Sequence, residues 1–453
     1  MISEASGKLS DFFNMLDVER LSCKRLESHI HKICCDIATH RQGKRDLETE
    51  RFQKLVCPCI ALLVKPDKPV RRTHLAFFNS RTGRDIHPHA PWLKALRLAL
   101  KASTSFDFHY ITSAGLLFYD LITRFVEKNQ LPHTVVLPLA NRSNSCCNRQ
   151  TVMQCRDRII AHLADAWVII QIRPRSSLIP MLTQMAAAEA KPIALWLPPD
   201  DPSLKSANKS LLRLFPEAFR WTIEEDTEKQ FFSVLWPHIN GKFNPVYPSL
   251  SFPWHEYLYH YTRRSRGPWP GESLETYLDH LLDAHPLSQH SALDSLINIA
   301  REKIIRATGK IVKGGFRVVS WTSVPPPMVQ KLKKWNAPSQ RWTIEDYGIA
   351  VRKDFLKKRG AKPVCYIPEK LYCKLPLSER FRFQKHEPPS SLWKDEKEWR
   401  TREDFPLNDL TPDEAFWFVP TEGDARRFSA FVDSPLSVMI VQQQEKGKNK
   451  RYP

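Results

Sequence analysis

Residues 156–198, RDRIIAHLADAWVIIQIRPRSSLIPMLTQMAAAEAKPIALWLP, constrain this chain more than any other stretch. Residues 166–172 within it are almost continuously apolar, and helical periodicity flanks them on both sides. A strand with one wet face alternates apolar and polar residues. An unbroken run belongs to a strand covered on both faces, the central strand of a parallel sheet. The Arg-Pro-Arg-Ser-Ser turn then falls between that strand's carboxyl end and the amino terminus of the next helix. Open α/β sheets bind ligands at this position, and the unpaired amide groups there favour an anion. Arg173, Arg175, Ser176 and Ser177 add charge and hydroxyl donors, so the expected cargo is a phosphate on a nucleotide or a nucleic acid backbone.

The runs CPCIALLV, HLAFFNS, FDFHYITS, HTVVLPLA, AWVIIQI and KPIALWLP alternate with amphipathic segments such as PWLKALRLALKAS and GLLFYDLITRFVEK. Strand and helix in alternation predict an α/β, doubly wound parallel sheet of Rossmann-like type over residues 56–245. Residues 1–55 precede it as a helical segment, with Leu9, Phe12, Phe13 and Leu16 at helical spacing. The proline-rich, aperiodic FNPVYPSLSFPW marks a linker. Residues 250–445, with mixed helix and strand signals, predict a separate α+β domain.

Composition excludes several classes. The 453 residues are 42% hydrophobic, with no apolar run long enough for a membrane span and no amino-terminal signal pattern, so a cytoplasmic protein without membrane partners is expected. Ten cysteines include the adjacent pairs Cys34-Cys35 and Cys146-Cys147, and Cys57-x-Cys59 has the wrong spacing for zinc; no metal is expected. Only 14 glycines occur, and neither GxxxxGK[ST] nor GxGxxG is present. The net charge of +19 is concentrated: residues 301–400 hold about 24 Lys and Arg against about 10 Asp and Glu. Such a surface attracts nucleic acid or anionic nucleotides, or is simply a solvated basic face.

The order NSR, then SAG, then RDRII..LADAWVII and SS resembles the Rossmann-like domain shared by the DNA-processing protein DprA and the LOG-type nucleotide phosphoribohydrolases. The resemblance covers about residues 72–200. It implies that Ser80, Arg81, Ser113, Gly115, Arg158 and Ser176 surround a phosphate, to which the turn itself adds Arg175. Asn79 stands where that superfamily has glycine, and the PGGxGTxxE signature is absent, so nucleotide binding or sensing is expected rather than phosphoribohydrolase activity. Alternatively the serines and arginines cap helices.

LYHYTRR, IIRATGKIVKGGFRVVSWTS, RWTIEDYGIAV, GAKPVCYIP and WKDEKEWR together resemble a bacterial family that includes abortive-infection proteins of the AbiGi kind. That resemblance implies antiviral defence, with the second domain as effector. The same order is similar to the ADP-ribosyltransferase plan. It implies NAD as a cofactor, with His260 on the ribose, Tyr347 on the nicotinamide, and Glu398 (or Glu396) as the catalytic carboxylate. The competing expectation for the second domain is structural: Glu398 pairs with Arg400 or Arg402, and the tryptophans anchor a strand. Single-stranded nucleic-acid binding without catalysis is the remaining alternative, and a homo-oligomer is compatible with all three.

Overall fold

Strands form where the apolar runs lie, and their order in the sheet decides where a site can be built. The computed structural model describes residues 9, 11, 12, 60–64, 73–80, 90–138, 149–173, 175–189, 191–197, 208, 211–223, 246–309, 312–336, 341–386 and 392–441. Most of the expected helical segment 1–55 lies outside the described residues. The chain divides into two units, Met1–Val234 with Leu278–His285, and Leu235–Tyr277 with Pro286–Pro453.

The first unit contains β1 (Ile60–Val64), β2 (Thr73–Asn79), α1 (Pro91–Ser103), β3 (Phe108–Ser113), α2 (Leu117–Lys128) and β4 (His133–Pro138). It continues with α3 (Arg149–Leu163), β5 (Ala166–Gln171), α4 (Leu178–Glu189), β6 (Ile193–Trp196) and β7 (Phe219–Trp221). The strand order is β1-β4-β3-β2-β5-β6-β7. Strands β2 to β7 are parallel, the doubly wound α/β sheet that the alternation predicts. The CPCIALLV run is the exception, because β1 pairs antiparallel with β4 at the edge.

Burial explains the apolar runs. Residues 75–78 of β2 and 166–170 of β5 are fully buried, since helices cover both faces of the sheet. Helix α1 starts with Pro91, which donates no N–H and fits the first helical turn, and it buries Trp92, Leu93, Leu96 and Leu100 on one face. The ammonium of Lys191 ends α3 by donating to the carbonyls of Ala161, His162 and Ala164 at 2.9, 3.0 and 2.7 Å.

The second unit is built on a mixed sheet of β8 (Tyr257–Tyr261), β9 (Val318–Thr322), β10 (Gly348–Arg352), β11 (Lys362–Pro363), β12 (Glu398–Arg402), β13 (Ala415–Val419) and β14 (Val438–Ile440). Their order is β11-β12-β9-β8-β10-β13-β14, antiparallel except for the last pair. One face carries Leu258, Trp321, Ile349, Val351 and Trp417 in the main core, together with residues of α5 (Ala292–Glu302) and α6 (Glu422–Phe431). The other face buries Tyr259, Ala350, Phe416 and Phe418 beside Phe252 and Trp254.

Helix α5 is fixed at both ends. Ser291 and Asp294 form a capping box, and Lys303 closes the helix at φ 53°. The buried Asp294 carboxylate also receives Arg427 of α6 at 2.5 Å, tying the two helices over the sheet. Burial raises the Asp294 pKa, opposed by Arg427 and the Ser291 donors. At β10 the glycine is obligatory, because a Cβ on Gly348 would collide with the main-chain oxygen of His260 and the ring of Phe418.

Candidate phosphate-binding edge of the first unit

Chain order reverses between β2 and β5. β2 leads through α1 to β3 on one side, whereas β5 leads through α4 to β6 on the other. The crossovers diverge there, and the carboxyl ends of two strands so related are where doubly wound sheets take ligands. Ser80 follows β2 directly, and the Arg173–Ser176 turn follows β5.

The two turns are joined. Ser80 donates its main-chain N–H to the Gln171 carbonyl at 2.7 Å, and its Oγ accepts the N–H of Arg173 at 2.8 Å. Asn208, fully buried, braces the same strand end. Its Oδ1 accepts the Ile172 N–H at 3.2 Å, and its Nδ2 donates to the carbonyls of Ile170 at 2.9 Å and Trp196 at 2.7 Å. β5 is thereby pinned to β2 on one side and to β6 on the other as it leaves the sheet. The side chains of Arg173 and Arg175 are exposed beyond the pinned backbone. Ser176 caps α4: its N–H reaches the Arg173 carbonyl at 3.0 Å and its Oγ accepts the Leu178 N–H at 3.3 Å.

The other expected contacts fall differently. Arg81 lies outside the described residues. Ser113 is fully buried and donates its hydroxyl to the Val136 carbonyl at 2.6 Å, so that proton locks β3 to β4. Gly115 is exposed at φ +83°, a backbone state that favours glycine, and its N–H donates to Asp120 at 2.8 Å. Arg158 is half-buried on α3.

The arginine that α3 buries is Arg156, 2% exposed. Its guanidinium stands 4.6 Å from the Tyr119 ring centroid, with Nε 2.9 Å and Nη2 2.5 Å from Asp157 Oδ1. The Tyr119 hydroxyl donates to the same oxygen at 3.3 Å. Burial raises the pKa of Tyr119 far above its ordinary value and raises that of Asp120, where the Gly115 N–H and Arg156 oppose the shift. This cluster joins α2 to α3 beside the carboxyl end of β3. The RDR sequence marks an arginine-bearing helix; which arginine turns inward depends on the helix's rotation, which the triplet does not encode.

In the second unit the sheet register separates the expected catalytic residues. Glu398 pairs with Thr322, which pairs with Tyr259, so Glu398 lies on the face of Tyr259. His260, the next residue along β8, faces the other side. It pairs with Ile349, and its ring sits 5.7 Å from that of Trp321. Tyr347 packs against the same core as Trp321, with its hydroxyl 3.4 Å from Asp424. The structure therefore does not bring His260, Tyr347 and Glu398 together. Successive side chains of a strand alternate between faces, and the sheet itself stands between the carboxylate and the imidazole.

Each group also has a partner. His260 Nδ1 lies 2.9 Å from the Ser320 carbonyl, which only accepts, so Nδ1 carries the proton; burial lowers this histidine's pKa to about 4. Glu398 Oε1 accepts from Ser320 Oγ at 2.7 Å and from Arg400 Nε at 2.8 Å, while its Oε2 accepts from Arg400 Nη2 at 3.1 Å. Arg400, 3% exposed, also donates to the carbonyls of Phe381 and Phe383 and to Gln384 Oε1. All five guanidinium donors are used, and segment 381–384 is fastened to β12. The neighbouring Glu396 is raised to about 7 by burial and by the charge of Glu398, against the pull of Arg263 and Lys334.

No family model matches the chain, and no curated protein does. Among solved structures it is similar to DNA processing protein A from Helicobacter pylori, described for its single-stranded DNA binding mode, at 10% identity and TM-score 0.25, over 33% of this chain and 74% of that one. It is also similar to DprA from Streptococcus pneumoniae at 12% identity and TM-score 0.25, over 50% of this chain and 98% of that one. Scores of this size carry no argument about activity, and the abortive-infection resemblance has no counterpart in these comparisons. No described helix is long and apolar enough to cross a membrane.

Proposed function

We propose that the first unit binds a phosphate group, carried by a nucleotide or a single-stranded nucleic acid, at the carboxyl edge between β2 and β5. The observation that carries this reading is the pinned turn: Ser80 holds the Arg173 amide while the side chains of Arg173 and Arg175 are exposed at the chain-order reversal. A fixed backbone carrying exposed guanidinium groups suits an anion, because little ordering remains to be done when the ligand arrives. The basic second unit then acts as an effector or interaction module in a defence-type protein. This part of the proposal rests on its charge and on the abortive-infection resemblance alone.

The reading is tested by thermal midpoint shifts of the full chain against ATP, GTP, NAD, ADP-ribose and a twenty-nucleotide oligo(dT). A ligand present at a hundred times its Kd stabilises the native state by about 2.7 kcal/mol. A shift with one of these that disappears in an Arg173→Ala/Arg175→Ala variant supports the site. A shift unchanged in that variant places the ligand elsewhere and ends the proposal.

A further inference from the structure

A second feature, in the other unit, is independent of that reading. Between Val324 and Ile344 the chain carries Lys331, Lys333, Lys334 and Arg341 and no Asp or Glu. The segment opens with a 3-10 turn, Pro326–Leu332, and continues as a ribbon of two short strands, Trp335–Asn336 and Arg341–Trp342. The register sets Trp335 directly opposite Trp342 and Asn336 opposite Arg341. Thr343 holds the base of the ribbon. Its N–H donates to the Lys334 carbonyl at 2.9 Å, its Oγ1 donates to the Leu332 carbonyl at 2.9 Å, and that oxygen accepts the Lys334 N–H at 3.0 Å. Lys333 forms an ion pair with Asp346, anchoring the ribbon and leaving Lys331 and Lys334 exposed.

Trp342 is 36% exposed, the most exposed of the tryptophans whose side chains are described; Trp167, Trp196, Trp321 and Trp417 are all buried. Met328, on the 3-10 turn, is 61% exposed. Trp254 and Trp399 are half-buried, so Trp342 is the described indole most open to a partner, and the exposed Lys331 and Lys334 lie on the same segment. A two-stranded ribbon of this length is marginal alone, and Trp342 stands opposite Trp335 in it while 36% of its surface stays exposed. The combination fits one kind of partner. Unpaired bases offer faces for an indole to stack on, and their phosphates offer charge for the lysines to neutralise. Duplex bases present no such face.

We propose that the ribbon around Trp342, with Lys331 and Lys334, is a docking site for single-stranded nucleic acid, the indole stacking on a base and the two ammonium groups engaging the backbone. The test measures anisotropy of labelled oligo(dT) and oligo(U) twenty-mers, and of a DNA duplex, titrated with the full chain over a range of salt. Trp342→Ala weakens single-strand affinity about tenfold and leaves the salt slope and the duplex affinity unchanged, whereas Trp342→Phe restores most of the loss. Lys331→Ala/Lys334→Ala lowers the salt slope by about 1.4, the value for two phosphates on a single strand. Comparing the two oligonucleotides tells whether DNA or RNA is preferred. Wild-type affinity in Trp342→Ala overturns the proposal, as does an equal loss on duplex or no binding by the wild-type chain. Arg173→Ala/Arg175→Ala is measured alongside. Wild-type binding there with a loss in Trp342→Ala removes single strands from the switch-point reading and leaves the ribbon standing, whereas a loss there with wild-type binding in Trp342→Ala overturns the ribbon.

Discussion

Ser80 and Arg173 are separated by 93 positions in the chain, yet the hydroxyl of one accepts the main-chain N–H of the other at 2.8 Å. The bond closes the gap between β2 and β5 where the sheet's chain order reverses. It converts two turns that the sequence presents separately into one rigid edge, and it accounts for a serine being buried directly after a strand.

Ser80→Ala leaves the Arg173 N–H without its acceptor in a partly buried place. The expected cost is about 1–3 kcal/mol, read from urea unfolding of the full chain. If the phosphate reading holds, affinity for the ligand found in the thermal screen falls as well, because the turn bearing Arg173 and Arg175 is no longer held.

Arg400 uses every donor it has while almost fully buried, so its removal strands Glu398 and two main-chain carbonyls. Arg400→Ala is expected to destabilise by about 3–5 kcal/mol. Arg400→Lys recovers only part of that, since an ammonium cannot reproduce the planar fork. A double-mutant cycle with Glu398→Gln, followed by denaturant unfolding, measures the coupling. Independence of the two substitutions would contradict the fastening role assigned to the pair.

Gly348 sits where a Cβ would strike the His260 carbonyl and the Phe418 ring. Gly348→Ala therefore overpacks the centre of the second sheet, with an expected loss of about 1–3 kcal/mol. Gly115→Ala provides the contrast: nothing lies within 4 Å of its added Cβ, and its cost comes only from φ +83°.

Glu396 has a folded pKa of about 7, above the usual carboxylate value. At pH 5 the folded protein holds this proton while the unfolded chain is losing it, and by pH 8 the native state carries the full penalty of the buried charge. The contribution to stability is thus present at low pH and lost as pH rises through 7. Glu396→Gln should raise the thermal midpoint at pH 8 and leave it nearly unchanged at pH 5. An equal shift at both values would rule out the burial effect.

His260 works in the opposite direction. Its folded pKa of about 4 lies below the ordinary imidazole value, so its contribution is intact above about pH 6.5 and falls away as pH drops towards 4. His260→Gln should flatten the midpoint–pH curve across that window. The imidazole is neutral at pH 7, and it faces the core beside Trp321, where burial disfavours its charged form.

The fold was legible wherever one physical rule governs a whole segment. The AWVIIQI run reads as a doubly covered strand because dehydration of both faces leaves no place for polar residues, and β5 is that strand. The order of strands and helices likewise gives the doubly wound sheet and a separate second domain. The antiparallel direction of the edge strand β1 was not legible, because an apolar run has the same composition in either direction. The short strand β7, three residues long, carries too little pattern to read.

Side-chain roles divide along the same line. The sequence by itself determined the solid basic character of residues 301–400, the strand carrying His260, and the placement of Ser80 and the Arg173–Ser176 turn at strand ends, because these follow from composition and local periodicity. Only tertiary structure decided that Arg156 turns inward on α3, that Asn208 braces β5, and that Ser113 bonds to Val136. Only tertiary structure placed His260 and Glu398 on opposite faces of one sheet. Register and helix rotation are set by packing between segments distant in the chain, and a one-residue change in either reverses which side chains meet.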